Sequence, residues 1–535
     1  MLPDSLLHHL EPTGGINLNH VPTTYIPMKT YSQKIALVLL LTALHVQLNA
    51  QSVSITDFGA IGDGKSLNTE MIQAAIDFQA EKGGGTVIVP AGSYLIGTIE
   101  LRSHIHLFLD AGATLLGSPN LADYSRYKNG TQLGMLFTQH AEHVSITGNG
   151  TIDGNGRAFV YHHRKKDLPI ELKQFTRQGQ AYLDTLKGVQ DGPVVPFEHQ
   201  RPYQMVLFSD VDHINIHGIT LKDSPFWAFH VADSDGVMIS DIRVRNSLLM
   251  PNADGLNFTS SSNITITGCD IIAGDDALAF SGYSVHHELP GYNDIRRTSE
   301  NVTVSNCLLQ TRSSGIRIGG IDQNSLRNYR FDNITIYDSN RGIGIFVHQD
   351  GSIENVHFSN MTIQTRLHTG DWWGNGEPIH ISVIEGAPVE KKLGTLKNVS
   401  FTNIEATSEN GILVYGDQTG SIDDLRFDRV RIHLNNGKLQ DEYGGNFDLR
   451  PATELSKNLF KHDISGIYIR HASNVELSRV KVSWGDSMSA HFNHGLWTES
   501  VTNLDIRSSV FNAPRTGSQN VMMQQTTLAE TSQLD

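Results

Sequence analysis

The sequence predicts an all-β chain: a right-handed parallel β-helix (solenoid) with an N-terminal capping helix and long loop insertions. Three observations carry this. Segments of alternating polar and apolar residues recur, as in His143-Val144-Ser145-Ile146, His213-Ile214-Asn215-Ile216, Gly236-Val237-Met238-Ile239, Asn263-Ile264-Thr265-Ile266 and Asn301-Val302-Thr303-Val304. Later copies start at Asn328, Asn355, Asn398, Asp424, Asn474 and Asn503. A period of two marks a strand with one face buried. Several copies stand 23 or 27 residues apart, the length of one solenoid coil. Finally, no helical pattern separates the copies, which favours stacked coils over alternating strands and helices.

The elements follow in order. Residues 1–27 read as an unstructured leader or a misread start. Residues 28–50 have a basic start, an apolar run over 35–44 and Leu48-Asn49-Ala50 before Gln51, the pattern of a secretory signal peptide. The run is too short to span a membrane comfortably, so a mature chain without a membrane span, periplasmic or secreted, is expected from Gln51. The turn-rich Asp57-Phe58-Gly59-Ala60 precedes a helix over 68–80, whose inward residues are Ile72, Ala75, Ile76 and Phe78 and which Gly83-Gly84-Gly85 stops. With strands at Val87-Ile88-Val89-Pro90 and Tyr94-Leu95-Ile96-Gly97, it caps a core that a solenoid otherwise leaves open. The β-helix is expected over 51–515, and 516–535 reads as a polar, frayed tail.

Each coil holds a second strand beginning near glycine. Examples are Gly255-Leu256-Asn257-Phe258, Ala277-Leu278-Ala279-Phe280, Gly315-Ile316-Arg317-Ile318 and Gly342-Ile343-Gly344-Ile345, with further copies at Gly411 and Gly466. Their outward residues form a row, Asn257, Ala279, Arg317 and Gly344. The residues just before the strands form another, Asp254, Asp276, Ser314 and Arg341. Cys269 and Cys307 share a repeat position and read as stacked buried thiols. Asn263, Asn301 and Asn333 begin glycosylation-type triplets, but asparagine recurring at repeat turns reads as a turn ladder. Three insertions border the coils: 157–202, with a helix-like stretch over 169–187; 283–300; and 367–378, which carries Trp372 and Trp373 in a glycine-rich turn. Exposed indoles suit stacking on a sugar ring, and one of the two is expected to pack down on the solenoid.

Composition narrows the chemistry. At 535 residues there is room for one large domain or two ordinary ones. A net charge of −15 argues against a nucleic-acid partner, though a local basic site can still hold an anionic sugar. Two cysteines are too few for a disulfide framework or a zinc cluster. No histidine pair has acids at metal-ligand spacing, so neither metal nor cofactor is expected.

The chemistry concentrates over 252–280. Asp254 and Asp276 lie 22 residues apart, one coil, with Asp275 beside the second. Neighbouring parallel strands would hold the acids about 4.8 Å apart. Carboxylates that close repel, so at least one pKa should rise. A protonated acid beside an ionised one is what cleavage of a glycosidic bond requires.

On these residues the chain resembles glycoside hydrolase family 28, the polygalacturonase family of the pectin-lyase-like β-helix superfamily, over roughly 53–515. Asn252-Ala253-Asp254-Gly255 is similar to its Asn-Thr-Asp-Gly motif, with Ala253 for Thr, and Gly274-Asp275-Asp276 to its Asp-Asp motif. Asp57-Phe58-Gly59-Ala60 and Ser224-Pro225-Phe226-Trp227 resemble further family segments. The resemblance implies Asp275 as general acid, and Asp254 and Asp276 as the pair that holds and deprotonates water, with inversion. The family's Gly-His-Gly motif falls on Ser313-Ser314-Gly315, and its Arg-Ile-Lys motif, which grips a galacturonate carboxylate, on Gly344-Ile345-Phe346. The histidine and both basic residues are therefore absent. Arg317 and Arg341 are candidates to replace the charge, and His348 to replace the histidine. With Asn252, Trp372 and Trp373 they make up the expected substrate-binding set. The function expected is hydrolysis of a pectic or related acidic polysaccharide or oligosaccharide, with action from a chain end as one expected mode. The alternatives are a polysaccharide lyase, with Asp275 and Asp276 holding a cation, and a non-catalytic sugar-binding β-helix.

Overall fold

The structure is a computed structural model that describes residues 52–127, 130–165, 194–196, 200–284, 295–368, 373–437, 446–454, 457 and 459–533. The expected leader, signal peptide, helix-like stretch 169–187 and Trp372 lie outside them.

The alternating segments do form strands, and these pair in parallel from coil to coil in one continuous sheet system. A typical coil supplies three strands, Leu256–Thr259, Ser262–Thr267 and Asp270–Ala273. Each pairs with its counterpart on the next coil, Leu278–Ser281, Ser299–Ser305 and Leu308–Thr311. The chain is thus a right-handed parallel β-helix. Inward residues of successive coils stack on one another. The rings of Phe331, Phe358, Phe401 and Phe427 follow at centroid spacings of 4.8, 4.9 and 5.0 Å. Such stacked aromatic contacts fix the register, because a slip by one residue would turn every ring outward.

The corners are asparagine ladders. Asn301, Asn328, Asn355 and Asn398 each donate a side-chain amide to the residue one coil before, at 2.8–3.2 Å. Each also holds a positive φ, which asparagine tolerates better than most residues. Cys269 and Cys307 are buried free thiols on adjacent coils.

The helix runs Thr69–Glu81 and buries Ile72, Ala75 and Ile76. Phe78 departs from expectation: it is 38% exposed and rests edge-on against Phe58. Six residues beyond Ile72 at 3.6 residues per turn, it points away from the buried stripe. Gln79 takes the inward place instead. The tail departs too. Val521–Gln524 pairs in parallel with Leu496–Glu499, and Leu528 bridges to Leu504, so the expected frayed segment is the last rung. Val521 and Met523 pack against the core, whose open end would otherwise face water.

In the first insertion, Val160–Lys165 pairs antiparallel with Val194–Pro196. A second hairpin pairs Asn446–Asp448 antiparallel with Leu459–Lys461. Among the described residues, no helix is long and apolar enough to cross a membrane.

Candidate active site

Register builds the site. Leu256 pairs with Leu278, Leu278 with Ile316, Ile316 with Ile343 and Ile343 with Ile379. These apolar residues face the core, so alternation turns Asn257, Ala279, Arg317, Gly344 and His380 outward in one line. Counting back from the same pairs puts Asp254, Asp276, Ser314, Arg341 and Glu377 in a parallel line. The two rows expected from sequence form, each extended by one residue.

From these rows Asp254, Asp276, Ser314, Arg317 and Arg341 line a cavity of about 230 Å³. Asn252, Asp254, Asp275, Asp276, Arg317, Arg341, His348 and Trp373 all line it, so every expected site residue within the described chain reaches one space. Trp227, Tyr283, Ser313, Ser314, Phe346, Arg450 and Pro451 complete the walls.

The three acids sit in different surroundings. Asp276 is 6% exposed. Its Oδ1 accepts from the Ser313 hydroxyl at 2.9 Å and the Ser314 N–H at 3.0 Å, and its Oδ2 accepts from Arg317 Nε at 2.5 Å. Three convergent donors, one of them a guanidinium, suit a carboxylate. Asp275 is half-buried, its backbone carbonyl anchored by the Thr311 hydroxyl. Burial, reinforced by the charge of Asp276, pushes its carboxyl up to about 7, against donors from Ser313 and the Asn252 N–H and the charge of Arg317. Asp254 is 3% exposed and, among the described residues, its Oδ1 has no hydrogen-bond partner. Burial, then the charges of Asp275 and Asp276, raise it well above the ordinary carboxylate range. The cavity therefore holds an acid able to keep its proton near neutral pH beside a carboxylate locked in an ion pair. That is the division of labour acid–base catalysis needs.

The arginines differ from the expected pair of substrate cations. Arg317 is spent on Asp276 and also donates to the Gly319 carbonyl at 2.7 Å. Arg341 gives its Nε to Glu377 at 2.8 Å, and both side chains are only 4% exposed. Burial favours the neutral acid at Glu377, but the Arg341 charge and the His380 contact outweigh it and hold the group well below the usual range. His348 does not stand among the acids. It follows Val347, which pairs with Gly320, whereas Ser314, where the family histidine would fall, opens the opposite end of the strand. Its Nε2 contacts the Ser382 hydroxyl at 2.9 Å. Burial, with His380 and Arg341 nearby, lowers it to about 3, so it is neutral at working pH.

Sequence reasoning missed four contributors. Arg201, at the end of the first insertion, holds Asn252 through its Oδ1 at 2.9 Å and grips the Pro225 and Pro251 carbonyls. Tyr283 and Phe346 lie on segments already singled out, but the period-two pattern does not report which loop side chain folds inward. Arg450 comes from the hairpin loop and lies 5.1 Å over the Trp373 ring. No local signal marks it, because its place depends on contacts distant in sequence.

Fold and site together define a parallel β-helix protein whose cleft gathers three aspartates, Asp254, Asp275 and Asp276. The chain belongs to glycosyl hydrolases family 28, whose model matches residues 81–442, more than half of it. It is 28% identical over 342 residues to a probable polygalacturonase of Vitis vinifera, covering 60% of this chain and 62% of that one. It is also 28% identical over 274 residues to the exo-poly-alpha-D-galacturonosidase of Dickeya chrysanthemi, covering 45% and 44%. In both cases the chain spans less than two thirds of the relative's length. The fold is shared with the family 28 exopolygalacturonase of Yersinia enterocolitica, with a TM-score of 0.59 at 18% identity, covering 91% of this chain and 79% of that one.

Proposed function

We propose that this protein is a secreted or periplasmic glycoside hydrolase that cleaves a pectic or related acidic polysaccharide or oligosaccharide, with inversion and from a chain end. The observation that carries the reading is Asp275, a carboxyl raised to about 7, in one cavity with Asp254 and Asp276. In the reaction Asp275 gives its proton to the leaving glycosidic oxygen as the C–O bond breaks. Asp254 and Asp276 hold a water on the opposite face of the sugar, and the water loses its proton to that pair as its oxygen bonds the anomeric carbon. Attack opposite the leaving group inverts that centre. Family membership and the names of the two relatives support a pectic substrate. Chain-end action is supported by Trp373, Arg450 and Pro451, which come from two loops and wall the cavity. Export rests on the signal-peptide pattern over 28–50.

The test is to incubate the chain from Gln51 and its Asp275→Asn variant with pectic and algal oligosaccharides, following products by mass and ultraviolet absorbance. Saturated products from the wild type alone support the reading. Unsaturated products would move the protein to the lyases. Release of nothing from any member of the panel sinks the enzymatic reading.

A further inference from the structure

Two of the guanidiniums that line the cavity, Arg317 and Arg341, are bound to buried carboxylates, and this bears on the sugar. Where the resemblance places arginine and lysine, the chain has Gly344 and Phe346. A side chain cannot simply be restored at 344: a Cβ there would sit 2.6 Å from the Phe346 ring. That ring folds back over the glycine, lies 4.9 Å from the Arg341 guanidinium and meets His380 edge-on at 5.3 Å. Beneath it Arg341 is bound to buried Glu377, and across the floor Arg317 is bound to Asp276. The remaining guanidinium of the lining, Arg450, lies on the wall over Trp373. A uronate placed over Phe346 would bring another carboxylate into a space that already holds Asp254, Asp275 and Asp276. For either guanidinium of the floor it would have to compete with Asp276 or Glu377. Burying a charge that is not paired is costly, and pulling apart a buried pair is costly as well. Phe346, 6% exposed, presents the cavity with an apolar surface that asks for no charge.

We propose that the sugar residue seated over Phe346 carries no free carboxylate, and is a neutral or esterified residue whose apolar face lies on that ring. The proposal rests on the glycan-cleaving reading above and names the class of residue that this part of the site accepts. It fits a pectic chain in which neutral or esterified units accompany uronates.

The test uses three series of α-1,4-linked galacturonide oligosaccharides of equal length that differ only at C6: free acid, methyl ester, and carboxyl-reduced. Binding is read on the Asp275→Asn protein by the fluorescence of Trp227 and Trp373, and cleavage on the wild type. The substitution removes a carboxylate and so favours the free acid, which biases the measurement against the proposal. The ester and reduced series should bind, and be cleaved with kcat/KM higher, by about tenfold or more relative to the free acid. Phe346→Ala should narrow that preference by weakening binding of the ester and reduced series, while Phe346→Tyr keeps it. The preference in binding with no cleavage of any series would end the hydrolase reading and leave this one standing. Equal or tighter binding of the free acid, or binding of none of the series, overturns it.

Discussion

Asp275 shows how much one side chain owes to its surroundings. Its carboxyl titrates near 7 in the folded chain instead of the ordinary 3.8, chiefly because it is desolvated. Two consequences follow from that one shift. If Asp275 is the general acid proposed above, activity should fall as pH rises through about 7, because the group then lacks the proton it would donate. Stability should also fall between roughly pH 4 and 7, because the unfolded chain has released a proton that the native chain retains. Asp275→Asn removes that loss. Its thermal midpoint should exceed the wild type's at pH 7.5 and converge with it near pH 4, while kcat/KM drops by about 10² to 10⁴. A scan of melting against pH, beside one rate assay, reads both. Arg317 makes the complementary case. Arg317→Met leaves buried Asp276 without its cation, and breaking such a pair costs about 3 kcal/mol or more. Denaturant unfolding at pH 7 should show a loss of that order.

At the scale of elements, the solenoid rows carry the acids and the loops close the site around them. The hairpin formed by Asn446–Asp448 and Leu459–Lys461 brings Arg450 and Pro451 to the cavity. Phe460 is its anchor, with its ring 5.1 Å from Tyr415 and 5.7 Å from Tyr468 on the strands beneath. If this loop restricts cleavage to chain ends, Phe460→Ala should loosen the wall. The products would then change from short end fragments to a spread of lengths, with folding little affected. Sizing the early products of a long substrate by mass decides this. An unchanged product pattern would detach the hairpin from the mode of action.

At the scale of the whole molecule, a solenoid is only as sound as its ends. The helix Thr69–Glu81 covers one end, and the rung Val521–Gln524 completes the other. A chain stopped at 515 should therefore melt lower and aggregate more readily than the full chain, because Leu496 and Leu504 lose the rung that lies against them. Calorimetry with light scattering on the two lengths measures it. The proposed export belongs to this scale as well: if it holds, the mature chain should begin at Gln51, and mass analysis of its N-terminus decides this.

The sequence alone determined the coils, their register and the acid cluster. An alternation of period two with a near-constant repeat leaves one way to bury the apolar face. The 22-residue interval from Asp254 to Asp276 is the same interval that pairs Leu256 with Leu278. Only the tertiary structure decided who neutralises whom. Arg317 and Arg341 are visible in the sequence, but Asp276 and Glu377 as their partners are not, since each pair joins different coils across 36 to 41 residues. The same holds for Arg201 under Asn252 and Arg450 over Trp373. A repeat reports its own period, whereas loops outside the period take their places from contacts with whichever coil they meet. The composition of the site's walls therefore depends on folding rather than on pattern.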